Sequence, residues 1–224
     1  MREARYDDND LLLAGAGGHA KVIIDILRSY YRETNLIGIT DRDASKKGSS
    51  LLDVPVIGTD DIIPELRERG LRKAFVSIGA VKDFQARERL YIFLKKLGFE
   101  LVNVIHPAST VSALASLGSG NSIHAGCVLN AGARIGDNCI INTGSIIEHD
   151  CIIGNNVHIA PGAAVSGGAV IGDNCLIGLG ANVIQGIRIG NNCIVAAGST
   201  VIADVAAGST VAGVPAKPLK GRGA

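Results

Sequence analysis

The chain has 224 residues, with 22 Lys and Arg against 21 Asp and Glu, a net charge of +1. So even a balance offers no electrostatic footprint for nucleic acid or for an anionic membrane. No signal peptide and no unpunctuated apolar run of membrane length is visible, so a soluble, cytoplasmic protein is expected, long enough for two domains.

Asp10–Ala14 predicts a buried strand, followed by Gly15-Ala16-Gly17-Gly18-His19-Ala20 and then by Ile23, Ile26, Leu27, Tyr30 and Tyr31 on one helical face. Leu36–Asp41 predicts a second strand that ends in an acid. A short helix opens at Asp60 or Asp61 and ends near Gly70. Lys73–Gly79 predicts a third strand. Asp83–Leu97 predicts a helix with Lys95 and Lys96 in its last turn and Gly98 as its stop. Leu101–Val104 predicts a short fourth strand. This alternation implies a small parallel sheet of Rossmann type over residues 1–104.

Gly15-x-Gly17-x-x-Ala20 matches the dinucleotide fingerprint, and Asp41 stands where a ribose-binding acid could. The underlying physics is anion binding: the backbone approaches closely and a helix N-terminus faces a phosphate. Three readings stay open here. A nucleoside diphosphate group binds, or the glycines make a tight turn without a ligand, or a nicotinamide cofactor binds. A domain of about 100 residues offers only half of a two-part dinucleotide site, which weighs against the last.

From residue 105 onward the pattern changes. Seventeen aliphatic residues, from Ile105 and Val111 through Ile147, Ile153, Ile159 and Val165 to Val201, follow an unbroken six-residue period. Such a hexapeptide repeat predicts a parallel β-helix in which each hexapeptide supplies one short strand and one corner. The residue four places after each aliphatic is usually small, because a narrow prism cannot hold two large side chains on one inner face. Ile135-Gly136-Asp137-Asn138 recurs in variant form at 153, 171 and 189, a spacing of 18 that reads as one corner stacked in successive coils. At roughly 4.8 Å per coil the prism should stand about 27 Å tall. Single-file aliphatics do not offset the cost of ordering so much backbone, so a subunit interface is expected.

All five cysteines (127, 139, 151, 175 and 193) occupy the small inward slot. They are expected to be core residues rather than metal ligands, disulfides or nucleophiles. Residues 105–224 carry only five acids, and two of them, Glu148 and Asp150, flank His149. A carboxylate beside an imidazole fixes its tautomer and raises its basicity, as a general base requires; a solvated corner is the alternative. Eighteen residues after His149 comes Gly167, so the next coil has no side chain there and could admit a thin ligand such as a pantetheine arm. His106 and His124 read as surface corner residues, and His19 as a ligand contact or a helix-start residue.

The whole chain resembles the bacterial sugar O-acyltransferase family, which includes sialic-acid O-acetyltransferases and UDP-4-amino-sugar N-acetyltransferases. The matching segments are Gly15–Ala20 with Asp41, Val76–Gly79, Val104–Pro107, Asn142–Asp150, Val157–Gly162 and Gly213–Lys217. The resemblance implies a left-handed β-helix domain over 105–224, a homotrimer with acetyl-CoA between adjacent prisms, and a nucleotide-sugar-binding domain over 1–104. It implies His149 as general base and Asp150 as the acid that tunes it. His158 and Gly167 match acetyl-CoA contacts; Gly17, Gly18, His19, Asp41 and Gly79 match nucleotide-sugar contacts. Arg42 departs from relatives that carry a second acid there. The implied reaction is direct acetyl transfer, without metal, to the amine of a UDP-linked 4-amino sugar. O-acetylation of a sialic acid or related sugar is the alternative. A zinc hydratase on the same β-helix needs three converging histidines, and a non-catalytic nucleotide-sugar-binding partner would not need an acid-flanked histidine.

Overall fold

A computed structural model describes residues 6–80 and 84–219. It divides into two compact units. One contains the chain up to Gly79 together with Gln85–Val104; the other contains Ala80 and the chain from Ile105 onward.

The first unit is an α/β sandwich. Its elements are β1 (Asp10–Ala14), α1 (Gly18–Tyr30), β2 (Asn35–Thr40), β3 (Ser50–Leu51), β4 (Val54–Gly58), α2 (Ile63–Glu68), β5 (Lys73–Val76), α3 (Phe84–Lys96) and β6 (Glu100–Leu101). The sheet order is β3-β4-β2-β1-β5-β6, and every pair is parallel except β3 with β4. Alternation along β1 serves both faces. Leu11 and Leu13 pack with Ile23, Ile24, Ile26 and Leu27 of α1, while Leu12 and Ala14 pack with Leu66, Leu90 and Leu94 of α2 and α3.

Two details differ from the sequence expectation. The β3–β4 hairpin is absent from it, because Pro55 inside Val54–Gly58 argues against a strand that pairs on both sides. The structure accommodates Pro55 where it faces Ser50 of the short β3, and turns the chain through Leu52 and Asp53, both left-handed at φ 48° and 59°. The fourth strand ends at Leu101, because Val104–Ile105 already pairs as the first strand of the repeat. Asp83, the expected start of α3, lies outside the described residues.

The second unit follows the six-residue ruler. Seventeen two-residue strands run from Val104–Ile105 to Thr200–Val201, and each ends on one of the predicted aliphatics. From Thr110–Val111 to Asn182–Val183 each strand pairs in parallel with the strand 18 residues on, as Ile140–Ile141 does with His158–Ile159 and Ile146–Ile147 with Ala164–Val165, whereas Ile194–Val195 pairs with Thr210–Val211, 16 residues on. Three sheets result, the faces of a triangular prism. From Ile123 to Val201 each repeat aliphatic is at most 4% exposed. After the last coil, Thr210–Gly213 joins one face and folds back on Ala216–Pro218. Among the described residues no helix is long and apolar enough to cross a membrane.

Two side-chain ladders tie the coils together. At one corner Asn138, Asn156, Asn174 and Asn192 take left-handed backbone conformations at φ 56–58°, which Asn tolerates best among residues with a Cβ. The preceding residue bonds to the coil before it. Asp137 Oδ1 accepts from Ser119 N–H, Asn155 Oδ1 from Asp137 N–H, Asp173 Oδ1 from Asn155 N–H and Asn191 Oδ1 from Asp173 N–H, all at 2.7–2.9 Å. Inside, the cysteine thiols donate to carbonyls of the next coil, among them Cys139 to Gly154 at 3.1 Å, Cys151 to Ser166 at 3.2 Å and Cys175 to Gly190 at 3.0 Å. All five are buried and none forms a disulfide. Burial pushes the Cys127 and Cys151 thiols up and drives Cys175 to about 12, so these three offer no thiolate near neutral pH.

Asp173→Ala is expected to cost about 1–2 kcal/mol in chemical denaturation, while Asp173→Asn, which keeps the accepting oxygen, stays near wild type. In a thiol titration of the native protein, rapid reaction of any cysteine would contradict their placement; all five should react once guanidinium unfolds the prism.

Candidate active site

The chain order around the sheet places one cluster. From β1 the chain moves to β2 and β4 on one side, then crosses to β5 and β6 on the other, so β1 and β5 meet at a topological switch point. Crevices at the carboxyl ends of such strands are where open α/β sheets bind ligands. Gly15–Gly18 leave β1 there, and Ser77–Gly79 leave β5. Gly15 has φ +112°, and a Cβ on it would stand 2.5 Å from Ile78 Cγ1, so only glycine fits. Ser77 Oγ donates to Gly15 O at 2.6 Å. Buried Arg87 donates from Nη1 to Val76 O and Ile78 O, each at 2.6 Å, and holds the other rim.

Gly17 and Gly18 are exposed, with open space where side chains would project, and Gly79 lies beside His19 with 3.7 Å between its virtual Cβ and the histidine Cβ. The four expected residues Gly17, Gly18, His19 and Gly79 therefore come together. Helix α1 starts at Gly18 without a side-chain cap and without an acid in its first turn. Its first N–H groups and the positive end of its dipole suit an anion.

Asp41 has another task in this structure. It is 8% exposed; Oδ2 accepts from Ala16 N–H at 2.7 Å and Lys46 Nζ at 2.8 Å, and Oδ1 accepts from Asp43 N–H at 3.0 Å. Burial pushes its carboxyl up, but the bonds from Lys46, Asp43 and Ala16 outweigh this and hold it below the ordinary carboxylate range. Asp41 thus ties the end of β2 to the glycine turn. Lys46 and Arg87 belong to this cluster and were not singled out from the sequence; neither sits in a recognisable motif.

On the prism, the corner at 148–150 separates the roles of the two acids. Asp150 turns toward the ring: its Oδ2 lies 2.9 Å from His149 Nδ1. Glu148 turns toward the backbone, where Oε2 accepts from His149 N–H at 3.3 Å. Asp150 occupies a left-handed corner at φ +61°, in line with Gly132 and Gly168, which are left-handed at the same corner one coil away on either side. Aspartate tolerates that conformation better than glutamate does, which fits the shorter arm found here. Because a carboxylate only accepts, Nδ1 carries the hydrogen and Nε2 presents the lone pair. The hydrogen bond from Nδ1–H to Asp150, aided by the charges of Asp150 and Glu148, holds the imidazole above its ordinary titration range. The His149 side chain is 65% exposed, open to a reactant.

The corner above His149 is not an empty gap. A Cβ built on Gly167 would stand 2.5 Å from His149 Nε2 and 2.7 Å from Cε1, so the imidazole itself lies over the glycine. His158 is 5% exposed and engaged on both sides. Its Nδ1 donates to Ala80 O at 2.9 Å, and its Nε2 lies 3.2 Å from Asn142 Nδ2. Asn142 Oδ1 in turn lies 2.9 Å from His124 Nδ1. A ligand contact through either nitrogen of His158 would replace one of these bonds. His124, expected at the surface, is 2% exposed; it lies within a strand-face ladder of polar side chains, which the hexapeptide pattern does not mark.

Residues 10–92 match the model of the PglD N-terminal domain, 132–167 that of the bacterial transferase hexapeptide with six repeats, and 168–203 that of the hexapeptide repeat of succinyl-transferase. No match is found among curated protein sequences. Among solved structures, the chain is similar to PerB from Caulobacter crescentus, solved in complex with CoA and GDP-perosamine, at 40% identity over 96% of this chain and 100% of that one, with a TM-score of 0.88. It is similar to the acetyltransferase domain of PglB from Neisseria gonorrhoeae, in complex with acetyl coenzyme A, at 35% identity over 95% and 100% of the two chains, TM-score 0.85. It is also similar to WeeI from Acinetobacter baumannii at 28% identity over 93% and 99%, TM-score 0.83.

Fold and site define a hexapeptide-repeat acyltransferase: a left-handed parallel β-helix carrying an acid-paired histidine, preceded by an α/β domain with an open glycine turn. The chain belongs to the family of bacterial sugar acyltransferases that combine a PglD-type N-terminal domain with hexapeptide repeats.

Removing the Asp150 carboxylate takes away the bond that favours the protonated ring. In Asp150→Asn the His149 titration, followed by NMR of the ring protons, is expected to move down toward that of a free imidazole; an unmoved titration would show that the 2.9 Å pair carries no weight.

Proposed function

We propose that the chain transfers the acetyl group of acetyl-CoA to the amine of a nucleotide-linked 4-amino sugar, with His149 as general base. One observation carries this reading: an exposed imidazole whose Nδ1 is held by Asp150 and whose Nε2 lone pair is left for a proton. The sugar amine attacks the thioester carbonyl carbon. His149 Nε2 takes the amine proton as the N–C bond forms, and returns it to sulfur as the C–S bond breaks and CoA leaves as its thiol. Asp150 keeps Nδ1–H in place and stabilises the imidazolium between these two transfers. No protein thiol is needed.

The N-terminal unit supports the nucleotide half of the reading. Gly17, Gly18, His19 and Gly79 surround an uncapped helix N-terminus suited to a diphosphate. Asp41 acts there by holding the turn and Lys46 together, rather than as a free ribose acceptor. Acetyl-CoA runs along the prism past Gly167 and the Asn142–His158 ladder, and the active form is a homotrimer. Exposed aliphatics on the prism faces, among them Ile146, Ile152, Ile184 and Ile202, support a covered surface.

UDP is the nucleotide expected from the family resemblance. A GDP-linked sugar is the second reading, favoured by the GDP-perosamine in the structure of PerB. Turnover of acetyl-CoA against UDP- and GDP-linked 4-amino sugars and against free or CMP-linked sialic acid, with products weighed by mass spectrometry, separates N- from O-acetylation. An acetylated hydroxyl with the amine untouched would overturn the proposal. His149→Ala should lower kcat about 10²–10⁴-fold with little change in thermal midpoint, and full activity in that variant would remove the base. In Asp150→Asn the acidic limb of the rate profile should shift to lower pH and the plateau should drop, because a less basic ring is neutral over a wider range but takes a proton less readily.

A further inference from the structure

We propose that Gly167 is a positioning residue for the acid–histidine pair: the missing side chain at 167 is what allows the His149 ring to lie across the next coil while its Nδ1 meets Asp150. Three ring atoms carry the argument. A Cβ on Gly167 would stand 2.5 Å from Nε2, 2.7 Å from Cε1 and 3.1 Å from Cδ2, distances that no packed methyl group keeps. The ring would have to leave.

Backbone conformation does not explain this glycine. Gly168, the next residue, is left-handed at φ +70°, as are most glycines of the prism corners, but Gly167 is not among the positive-φ residues. Its place in the repeat also tolerates side chains. The equivalent residues at intervals of 18 are Ala113, Ala131, His149, Gly167, Gln185 and Ala203. Glycine stands in this column only in the coil that follows the histidine. On the other side, Asp150 Oδ1 reaches to 2.5 Å from the virtual Cβ of Gly132 in the coil before, where φ +77° already requires glycine. The pair therefore leans on two coils that present bare backbone, and of the two bare places only Gly167 is free of a backbone reason.

The His149 side chain is 65% exposed, so it has little else to hold it. A methyl group at 167 pushes the imidazole outward, parts it from Asp150 and leaves the prism intact. This inference rests on the reading of His149 as the base, but its test does not. The full-length chain and its Gly167→Ala, His149→Ala and double variants are compared by NMR titration of the histidine rings and by chemical denaturation. The His149 titration should fall in Gly167→Ala, as far as it does in Asp150→Asn, while Gln185→Ala in the same column leaves it unmoved. Any stability lost in Gly167→Ala should vanish in the His149→Ala background, where the ring is gone. An unchanged titration overturns the proposal, and so does an equal loss of stability with and without the ring, or failure of Gly167→Ala to fold.

Kinetics then address the reaction. A misplaced base should lower kcat about 10–100-fold with the acetyl-CoA KM little changed. A raised KM with kcat and titration intact would instead make Gly167 a contact for the pantetheine arm and overturn the positioning role. A titration that falls in a protein whose wild type acetylates no sugar would sink the acetyl-transfer reading and leave the positioning of His149 standing.

Discussion

The second unit depends on parallel pairing between strands 18 residues apart. Each strand is only two residues long, too short to be stable alone, and gains its bonds from the coils before and after it. Lateral stacking therefore sets everything else. It admits one aliphatic and one small residue per hexapeptide, and it demands left-handed corners at fixed intervals. It also places every side chain directly over the residue 18 positions earlier. Chemistry on such a scaffold can use only what stacking leaves free, which is the corners.

The corner at 148–150 shows how little must change to make a site. Gly132 and Gly168 are left-handed corner residues, and between them Asp150 adopts the same backbone while adding a carboxylate. That carboxylate reaches the ring of the residue just before it. The candidate site is thus a repeat corner in which two ordinary positions carry an imidazole and a carboxylate. The first unit is built on a different principle. There, the turn of the chain at the β1–β5 switch point exposes the glycine loop, Asp41, Lys46 and Ser77 spend their polar groups holding the loop's shape, and Arg87 holds the facing end of β5.

Much of this is legible in the amino-acid sequence. The period gave every repeat strand its end residue, because burial and pairing both demand an aliphatic there, and it gave the cysteines their place in the core. It also singled out His149 and Asp150 as charges in a charge-poor prism. What stayed hidden were relations across the stack or across the sheet. Pro55 masked β4, since the pairing that tolerates it involves a hairpin with its own unusual turn. His124 read as a surface residue because the period describes the inward aliphatics and is silent on polar ladders such as His124–Asn142–His158. The ion pair between Asp41 and Lys46 stayed hidden because a sequence shows an acid at a strand end, not which cation folds onto it.

The Asp–Asn corner ladder carries a consequence for how such a chain can change over evolution. Because each rung bonds to the residue 18 positions earlier, from Ser119 and Asp137 through Asn155 and Asp173 to Asn191, an insertion of any other length within the stack would break the rung that spans it. The prism can lengthen or shorten only in whole coils. Duplicating one coil past Val201 would leave the corner at 149 untouched, whereas a single added residue between 149 and 167 would separate the histidine from the glycine beneath its ring.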